Sequence, residues 1–235
     1  MNREHPMASK GSNKPPHPLQ TPQDKAYAVN QRVALLFKIW SKFYDHPWPQ
    51  KLFYGKVHQV LLNKTLELQP DQILDAGCGT GELMTKMARR WPAVNLTGLD
   101  LSHQMLAVAR DKSFACPSTH LLEGTVYQIP AATQQFDLIT NTISSHFYMQ
   151  FDQALNEFYR VLKPGGTLAM ASMGNGLLRF IPGPWQEALT IPDASYRSPA
   201  KQRAEMEAAG FMVESISPLP FMSWLYIAKK PKLNA

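Results

Sequence analysis

The sequence predicts an α/β fold in which a mostly parallel sheet of seven strands carries helices on both faces. Three observations lead to this prediction. From Gln72 onward, short runs of aliphatic and β-branched residues alternate with segments of helical periodicity, as in a parallel sheet with crossover helices. A turn containing Gly77, Gly79 and Gly81 directly follows the first run. The last two strands are close enough in sequence to pair as an antiparallel hairpin.

Each element has its own signal in the sequence. The strands are predicted, in chain order, at 72–76, 95–100, 119–124, 136–141, 166–172, 211–218 and 221–230. The helices between them are predicted at 82–91, 103–111, 150–162 and 199–209. The last helix has Ser198 as its N-cap, Pro199 at its first position and Gly210 after its end, which are favoured residue types there. The predicted architecture is Rossmann-like.

The domain prediction is a disordered tail followed by one folded unit. Residues 1–25 are rich in Pro, Ser, Gln and Lys and lack apolar periodicity. Residues 26–235 are expected to share one core, since a chain of 235 residues with 44% hydrophobic residues is an ordinary length for a single α/β domain. This domain includes amphipathic helices within 27–68, interrupted by prolines at 46–49, and a long irregular loop at 173–195.

The distribution of charge argues against a nucleic-acid partner. The formal net charge is +6, but residues 1–25 contribute +2 and three lysines within 229–235 contribute +3, which leaves +1 for residues 26–228. A basic excess at the two ends of a chain is typical of solvated tails rather than of a binding groove.

Cysteine usage and apolar runs predict a cytoplasmic protein. Cys78 and Cys116 are too few for a disulfide framework or a four-thiolate zinc site, and no metal is expected. There is no secretory signal at the N-terminus, and no apolar run approaches the roughly 18 residues of a membrane span.

The glycine turn narrows the class of ligand. Dinucleotide sites use G-x-G-x-x-G, with the diphosphate at the helix N-terminus. Here the third glycine, Gly81, comes one residue earlier than in that motif. Glu82 stands at the position of the motif's third glycine, where its carboxylate would repel a diphosphate. No G-K-[ST] follows, so a P-loop is also excluded. A nucleoside ligand without phosphates remains.

Asp75 before the turn and Asp100 at the end of the second strand complete a pattern that resembles class I S-adenosylmethionine (SAM)-dependent methyltransferases. The later segments "LLEGTVYQIPAATQQFDLITNTISSHFYM" and "RVLKPGGTLAMAS" are similar to that family in order and spacing, and the resemblance covers about residues 35–228. It implies SAM as the cofactor.

The resemblance implies roles for individual residues. Gly77, Gly79 and Gly81 would pass under the methionine and ribose parts of SAM. Asp75 would reach the amino group of SAM through the turn, and Asp100 would hold the ribose hydroxyls. The alternatives are that the glycines are turn residues alone, and that Asp75 and Asp100 cap the helices that follow them.

The remaining cofactor contacts come from the ends of later strands. Leu101 would flank the adenine, and the backbone at Val126 would meet its edge. Thr125 stands where the family pattern usually has Asp, and its hydroxyl can accept the same hydrogen bond without charge. Asn141 and Thr142 would face the methionine moiety and the sulfonium.

His146 is the candidate catalytic base, because it follows the fourth strand and an unperturbed imidazole titrates near neutral pH. The alternative is a packing or helix-start role. Methyl transfer needs a base only when the acceptor loses a proton, since orientation of the acceptor supplies much of the rate.

Two aromatic segments are candidates for the acceptor site. Tyr44 lies in a segment loosely similar to the part that comes near SAM in quinone-biosynthesis methyltransferases, and Trp185 lies in the loop 173–195. Together the segments would cover an apolar pocket, or their aromatic residues would pack the helices onto the sheet.

The function predicted is methyl transfer from SAM to a small, apolar or aromatic metabolite. The alternatives are a protein or RNA methyltransferase and a non-catalytic SAM-binding module. Enzymes that methylate amino groups of DNA or protein amides resemble a family with [DN]-P-P-[YF] after the fourth strand, where this chain has "NTIS". The sequence does not specify the acceptor, its attacking atom, the use of a base or the oligomeric state.

Overall fold

The computed structural model describes residue 45 and residues 53–174, 196–220 and 222–232. The predicted tail, the first N-terminal helix and most of the loop 173–195 therefore lie outside the described residues. In chain order the helices are α1 Gly55–Lys64, α2 Glu82–Arg90, α3 His103–Arg110, α4 Phe151–Val161 and α5 Pro199–Ala208. The strands are β1 Gln72–Ala76, β2 Asn95–Asp100, β3 Ser118–Glu123, β4 Phe136–Thr142, β5 Leu162–Met173, β6 Met212–Leu219 and β7 Ser223–Lys229.

The strands form one sheet of seven in the order β3-β2-β1-β4-β5-β7-β6. Strands β1 to β5 pair in parallel, and β7 pairs antiparallel with both β5 and β6. This confirms the predicted Rossmann-like sheet with a C-terminal antiparallel hairpin. The order reverses between β1 and β4, and open α/β sheets bind ligands at such a point, outside the carboxyl ends of the strands.

Apolar side chains cover both faces of the sheet, which confirms the prediction of helices on both sides. On one face Leu74 packs in a cluster with Phe151 and Phe158 of α4 and Met206 of α5. On the other face Ile73 packs with apolar residues of α1, α2 and α3. The central strands are buried from both sides, which explains why their sequences are nearly continuous apolar runs.

The C-terminal lysines correct the expectation of a solvated basic tail. Lys229 belongs to β7 and pairs with Glu214. The ammonium group of Lys230 donates to the carbonyl oxygens of Tyr159 and Leu162 at 2.7 and 2.9 Å. A cation is favoured at the carbonyl end of a helix, and α4 ends at these residues. Lys230 therefore fixes the end of the last strand against α4, and Lys229 links β7 to β6.

Among the described residues, no helix is both long enough and apolar enough to span a membrane.

Candidate active site

The glycine turn links the carboxyl end of β1 to α2 and adopts a backbone that other residues rarely adopt. Gly77, Gly79 and Gly81 all have positive φ, at 75°, 55° and 77°. The backbone N–H groups of Gly77 and Cys78 both donate to the carbonyl of Leu99, which holds the turn against the end of β2. Among the described residues, no atom lies within 4 Å of where a Cβ on Gly79 would be. The turn is thus open at its middle glycine.

Asp75 is buried at the end of β1, with 1% of its surface exposed. Its Oδ1 accepts a hydrogen bond from the Thr140 hydroxyl at 2.8 Å. The pKa of Asp75 is raised to about 7, mainly by burial and also by the nearby Asp100 carboxylate, against the lowering effect of the Thr140 hydrogen bond. The N-cap of α2 is Gly81, with no side-chain cap, so the alternative that Asp75 caps this helix is wrong.

Asp100 ends β2 and bonds to the glycine turn. Its Oδ2 accepts from the backbone N–H of Gly79 and its Oδ1 from that of Ser102, each at 2.8 Å. Burial raises its pKa, although these backbone hydrogen bonds oppose the shift. The N-cap of α3 is Ser102, whose hydroxyl accepts from the Met105 N–H, so the capping alternative for Asp100 is also wrong.

Two carboxylates therefore lie close together at the switch point without a compensating cation. Their interaction raises the pKa of Asp75, and no described Lys or Arg forms an ion pair with Asp75 or Asp100. Buried carboxylates of this kind are favourable only when a positive group reaches them. The site has the charge required for a cationic ligand.

The N-terminus of α2 is surrounded by a charged cluster that the sequence did not reveal. Lys112 pairs with Glu82 at 2.5 Å and with Asp45 at 2.7 Å. The Thr80 hydroxyl, within the glycine turn, donates to Asp45 at 2.5 Å. Glu82 is therefore not an isolated charge, as the argument against a diphosphate assumed, but a diphosphate here would still meet two carboxylates. Asp45, which follows Tyr44 in the sequence, therefore contacts the glycine turn, whereas Tyr44 lies outside the described residues.

Asn141 and Thr142 lie at the end of β4, beside the glycine turn, and both are buried. Asn141 Nδ2 donates to the Ala76 carbonyl at 2.6 Å, which joins β4 to the end of β1. The same nitrogen lies 2.7 Å from both the Ser144 and the Tyr148 hydroxyl oxygens. The sequence prediction missed Ser144 and Tyr148, and the polar run "NTISSHFY" was the available signal.

Comparison with known proteins adds to this geometry. Residues 73–166, from β1 to the start of β5, match a family model described as a methyltransferase domain. Residues 73–166 are thus similar to a methyltransferase domain. The resemblance stated from the glycine turn and its two aspartates is thereby confirmed.

Individual relatives agree with the family assignment. The chain is 37% identical over 117 residues, 49% of this chain and 44% of the other, to malonyl-[acyl-carrier protein] O-methyltransferase of Pectobacterium atrosepticum. It is 30% identical over 166 residues, 67% of this chain and 64% of the other, to demethylmenaquinone methyltransferase of Deinococcus radiodurans. The aligned region spans 44–64% of the length of these and other curated relatives.

A solved structure confirms the fold of the chain. A SAM-dependent methyltransferase from Aquifex aeolicus superposes with a TM-score of 0.67 at 20% identity, over 82% of this chain and 98% of the other. Identity this low establishes the architecture alone.

The predicted adenine-side residues lie after the ends of β2 and β3. Leu101 is 39% exposed directly after Asp100. Thr125 and Val126 begin a turn after β3, in which the Thr125 hydroxyl accepts from the Tyr127 N–H at 3.3 Å. The Gly124 N–H donates to the Asp100 carbonyl, so this turn is held beside the predicted ribose site. The structure thus brings these three residues to one edge of the sheet, and their contacts with adenine stay a prediction.

His146 lies in a short 3-10 helix, Ser145–Phe147, after β4. Its ring is 6% exposed and stacks on Tyr196 with 5.6 Å between the ring centroids and an interplanar angle of 9°. Burial lowers the pKa of His146 to about 3, so the reason given for its choice as a base, an unperturbed pKa near neutrality, does not hold. Its Nδ1 has no hydrogen-bond partner among the described residues. A catalytic role for His146 stays a prediction.

The predicted acceptor-site residues Tyr44 and Trp185 lie outside the described residues, so their roles also stay predictions. Among the described residues, no group of three or more His, Cys, Asp or Glu side chains is arranged to hold a metal ion. Cys78 is buried and Cys116 is partly exposed, and both thiols are free.

Proposed function

We propose that this chain is an enzyme that transfers a methyl group from SAM to a small, apolar or aromatic metabolite. The observation that supports the cofactor is the pair of buried carboxylates, Asp75 and Asp100, around an open glycine turn in a methyltransferase domain. SAM carries two positive groups, an ammonium and a sulfonium. Neither Asp75 nor Asp100 forms an ion pair with a described Lys or Arg, so a positive group of the ligand could take that place. The domain proposed for the activity is 26–235, and its compartment is the cytoplasm.

The residues at the switch point fit SAM in a defined order. Asp75 would accept from the ammonium of the methionine part, near the first glycine of the turn. Asp100 would accept from the ribose hydroxyls while keeping its bond to the Gly79 N–H. Leu101, Thr125 and Val126 would contact the adenine beyond Asp100. Asn141 and Thr142 would face the methionine part and the sulfonium from β4.

The chain would contribute orientation more than proton transfer. SAM supplies a methyl group already activated by its sulfonium. The protein then has to hold the acceptor in line with that methyl group and exclude water. A buried imidazole with a pKa of about 3, as in His146, is a weak base, which favours acceptors that need no proton removed.

Calorimetry with SAM and with NAD tests the cofactor. We expect saturable binding of SAM and of its product S-adenosylhomocysteine, and no heat with NAD, because a diphosphate at the N-terminus of α2 would face Asp45 and Glu82. Binding of NAD in the absence of SAM binding would contradict the proposal.

Asp100→Ala should weaken SAM binding by about 1.5–3 kcal/mol, the usual contribution of hydrogen bonds to a charged acceptor. The exposed Asp152→Ala, in the first turn of α4, is a matched control that should leave affinity unchanged. Both dissociation constants are measured by calorimetry, after the circular dichroism of each variant has shown that it folds. An unchanged constant in folded Asp100→Ala would mean that this carboxylate supports only the turn.

The acceptor is tested by incubating the protein with isotopically labelled SAM and a metabolite extract, and identifying the labelled product. The names of the relatives point to two acceptors for direct assay, malonyl-[acyl-carrier protein] and demethylmenaquinone. Label in RNA or in protein side chains would overturn the small-molecule proposal. SAM binding without any labelled product would favour the non-catalytic alternative.

A further inference from the structure

Three polar side chains form a closed triangle at the end of β4. Asn141 Nδ2 lies 2.7 Å from Ser144 Oγ and 2.7 Å from Tyr148 Oη, and the two hydroxyl oxygens lie 2.9 Å apart. Asn141 and Tyr148 are 0% and 7% exposed, whereas Ser144 is partly exposed. Ser144 is therefore the member of this triangle that a ligand can reach.

The Ala76 carbonyl fixes the orientation of the Asn141 amide. Nδ2 donates to this oxygen at 2.6 Å. In this orientation Oδ1 is buried without a partner among the described residues. The reverse orientation would let Oδ1 accept from the two hydroxyls, but it would place two carbonyl oxygens in contact at 2.6 Å. One of the two Nδ2 hydrogens is used by Ala76, so one remains for the triangle.

The hydrogens available to the triangle determine the direction of its bonds. Asn141 Nδ2 cannot accept, so the buried Tyr148 hydroxyl has Ser144 Oγ as its acceptor among the described residues. A buried hydroxyl hydrogen without an acceptor is unfavourable, so Tyr148 donates to Ser144. The Ser144 hydrogen then has no acceptor within the triangle, so it is available to a ligand.

The position of Ser144 identifies the part of the ligand that this donor meets. Its Oγ lies against the first glycine of the turn, 2.7 Å from where a Cβ on Gly77 would be. Adjacent strands carry Asp100, Asp75 and Asn141 in the order β2-β1-β4. A nucleoside whose ribose lies at Asp100 would therefore extend its amino-acid end toward β4.

We propose that Ser144 donates a hydrogen bond to the carboxylate of the methionine part of SAM, with Tyr148 and Asn141 as positioning residues. This inference rests on the proposed function. Asp75 and Ser144 would then recognise the two charged groups of an α-amino acid, one by accepting and the other by donating. A hydroxyl that accepts from Tyr148 is also polarised as a donor.

The experiment compares two ligands that differ in the carboxylate alone, S-adenosylhomocysteine and its decarboxylated analogue S-adenosyl-3-thiopropylamine. Ser144→Ala should weaken binding of S-adenosylhomocysteine by about ten- to a hundredfold and change binding of the analogue by less than about twofold. Tyr148→Phe should show the same selectivity with a smaller effect, because Ser144 keeps its hydrogen but loses the bond that orients it. The control is Ser145→Ala. In the wild-type protein the Ser145 hydroxyl donates to Ser172 at 2.8 Å and does not contact the triangle, so its removal should leave the binding of both ligands unchanged.

The outcomes separate this inference from the proposed function. If the wild-type protein binds neither ligand, the proposed function fails. If Ser144→Ala weakens the binding of both ligands equally, Ser144 only supports the glycine turn, and the inference is overturned. If the variant binds both ligands normally but turns over more slowly, Ser144 contacts the methyl acceptor instead, and the inference is again overturned.

Discussion

Asp75→Asn should stabilise the fold progressively as the pH rises, and it should weaken SAM binding. The pKa of Asp75 is raised from 3.8 to about 7 by burial. Between these values the unfolded chain loses the proton while the folded protein keeps it, so wild-type stability falls as the pH rises and levels off above about 7. Asparagine has no such proton, and its Oδ1 can still accept from Thr140.

The difference in unfolding free energy between Asp75→Asn and wild type should therefore shift in favour of the variant by about 2–4 kcal/mol between pH 4 and pH 8. If the new amide changes the unfolding free energy by an amount that does not depend on pH, that amount is the same at pH 4 and pH 8 and does not affect the shift. Denaturant unfolding at a series of pH values measures it, with the exposed Asp152→Asn as the control for an unburied carboxylate. A difference that does not change with pH would show that Asp75 is not held in its protonated form.

Binding of SAM to the same variant should weaken by about tenfold or more, because an amide replaces the carboxylate that would accept from the ammonium. A variant that is more stable but binds less well would show that the carboxylate is retained for the ligand at the expense of the fold. Such trade-offs are common where a binding site requires a buried charge. Unchanged affinity at pH 8 would remove Asp75 from the cofactor site.

Gly79→Ala should abolish most of the SAM affinity while costing about 1–2 kcal/mol of stability. The stability cost comes from the positive φ of 55°, since an added Cβ would meet no protein atom within 4 Å. The new methyl group would project into the open side of the turn, where the cofactor has to approach the backbone. We expect affinity to fall by more than about tenfold, as measured by calorimetry with S-adenosylhomocysteine.

Gly165→Ala is the matched control. Gly165 also has a positive φ, of 79°, and an added Cβ would meet the flexible side chain of Lys232 at 3.2 Å, away from the switch point. It should lose a similar amount of stability and keep wild-type affinity. Equal affinities in the two glycine variants would favour the alternative in which Gly79 serves the turn alone.

Local patterns in the sequence were enough to predict the strands, the order of the elements and the position of the glycine turn and Asp100 at the strand ends. Periodicity separates buried strands from amphipathic helices because each repeats over neighbouring residues. The glycine turn and Asp100 lie close to their own strand ends, so a short spacing determines where they lie relative to the sheet. The C-terminal hairpin was predictable for the same reason.

Contacts between distant segments were not predictable in this way. Lys112 reaches Asp45 and Glu82 from the end of α3, and Lys230 reaches the carbonyl end of α4 across 71 residues of sequence. Neither partner carries a local pattern that indicates the other. The sequence also could not show that His146 is buried against Tyr196, because burial depends on what packs over a residue.

The sequence by itself determined the fold class, the glycine turn and the identity of the two aspartates, because each is encoded by residue type and short spacing. The tertiary structure alone decided their chemistry. Asp75 and Asp100 have raised pKa values because the sheet buries them and brings Asp75 within the field of Asp100. The free hydrogen of Ser144 likewise exists only because folding buries Tyr148 and joins Asn141 to β1. Burial and proximity are properties of the packed molecule, and they set the pKa values on which the proposed SAM site depends.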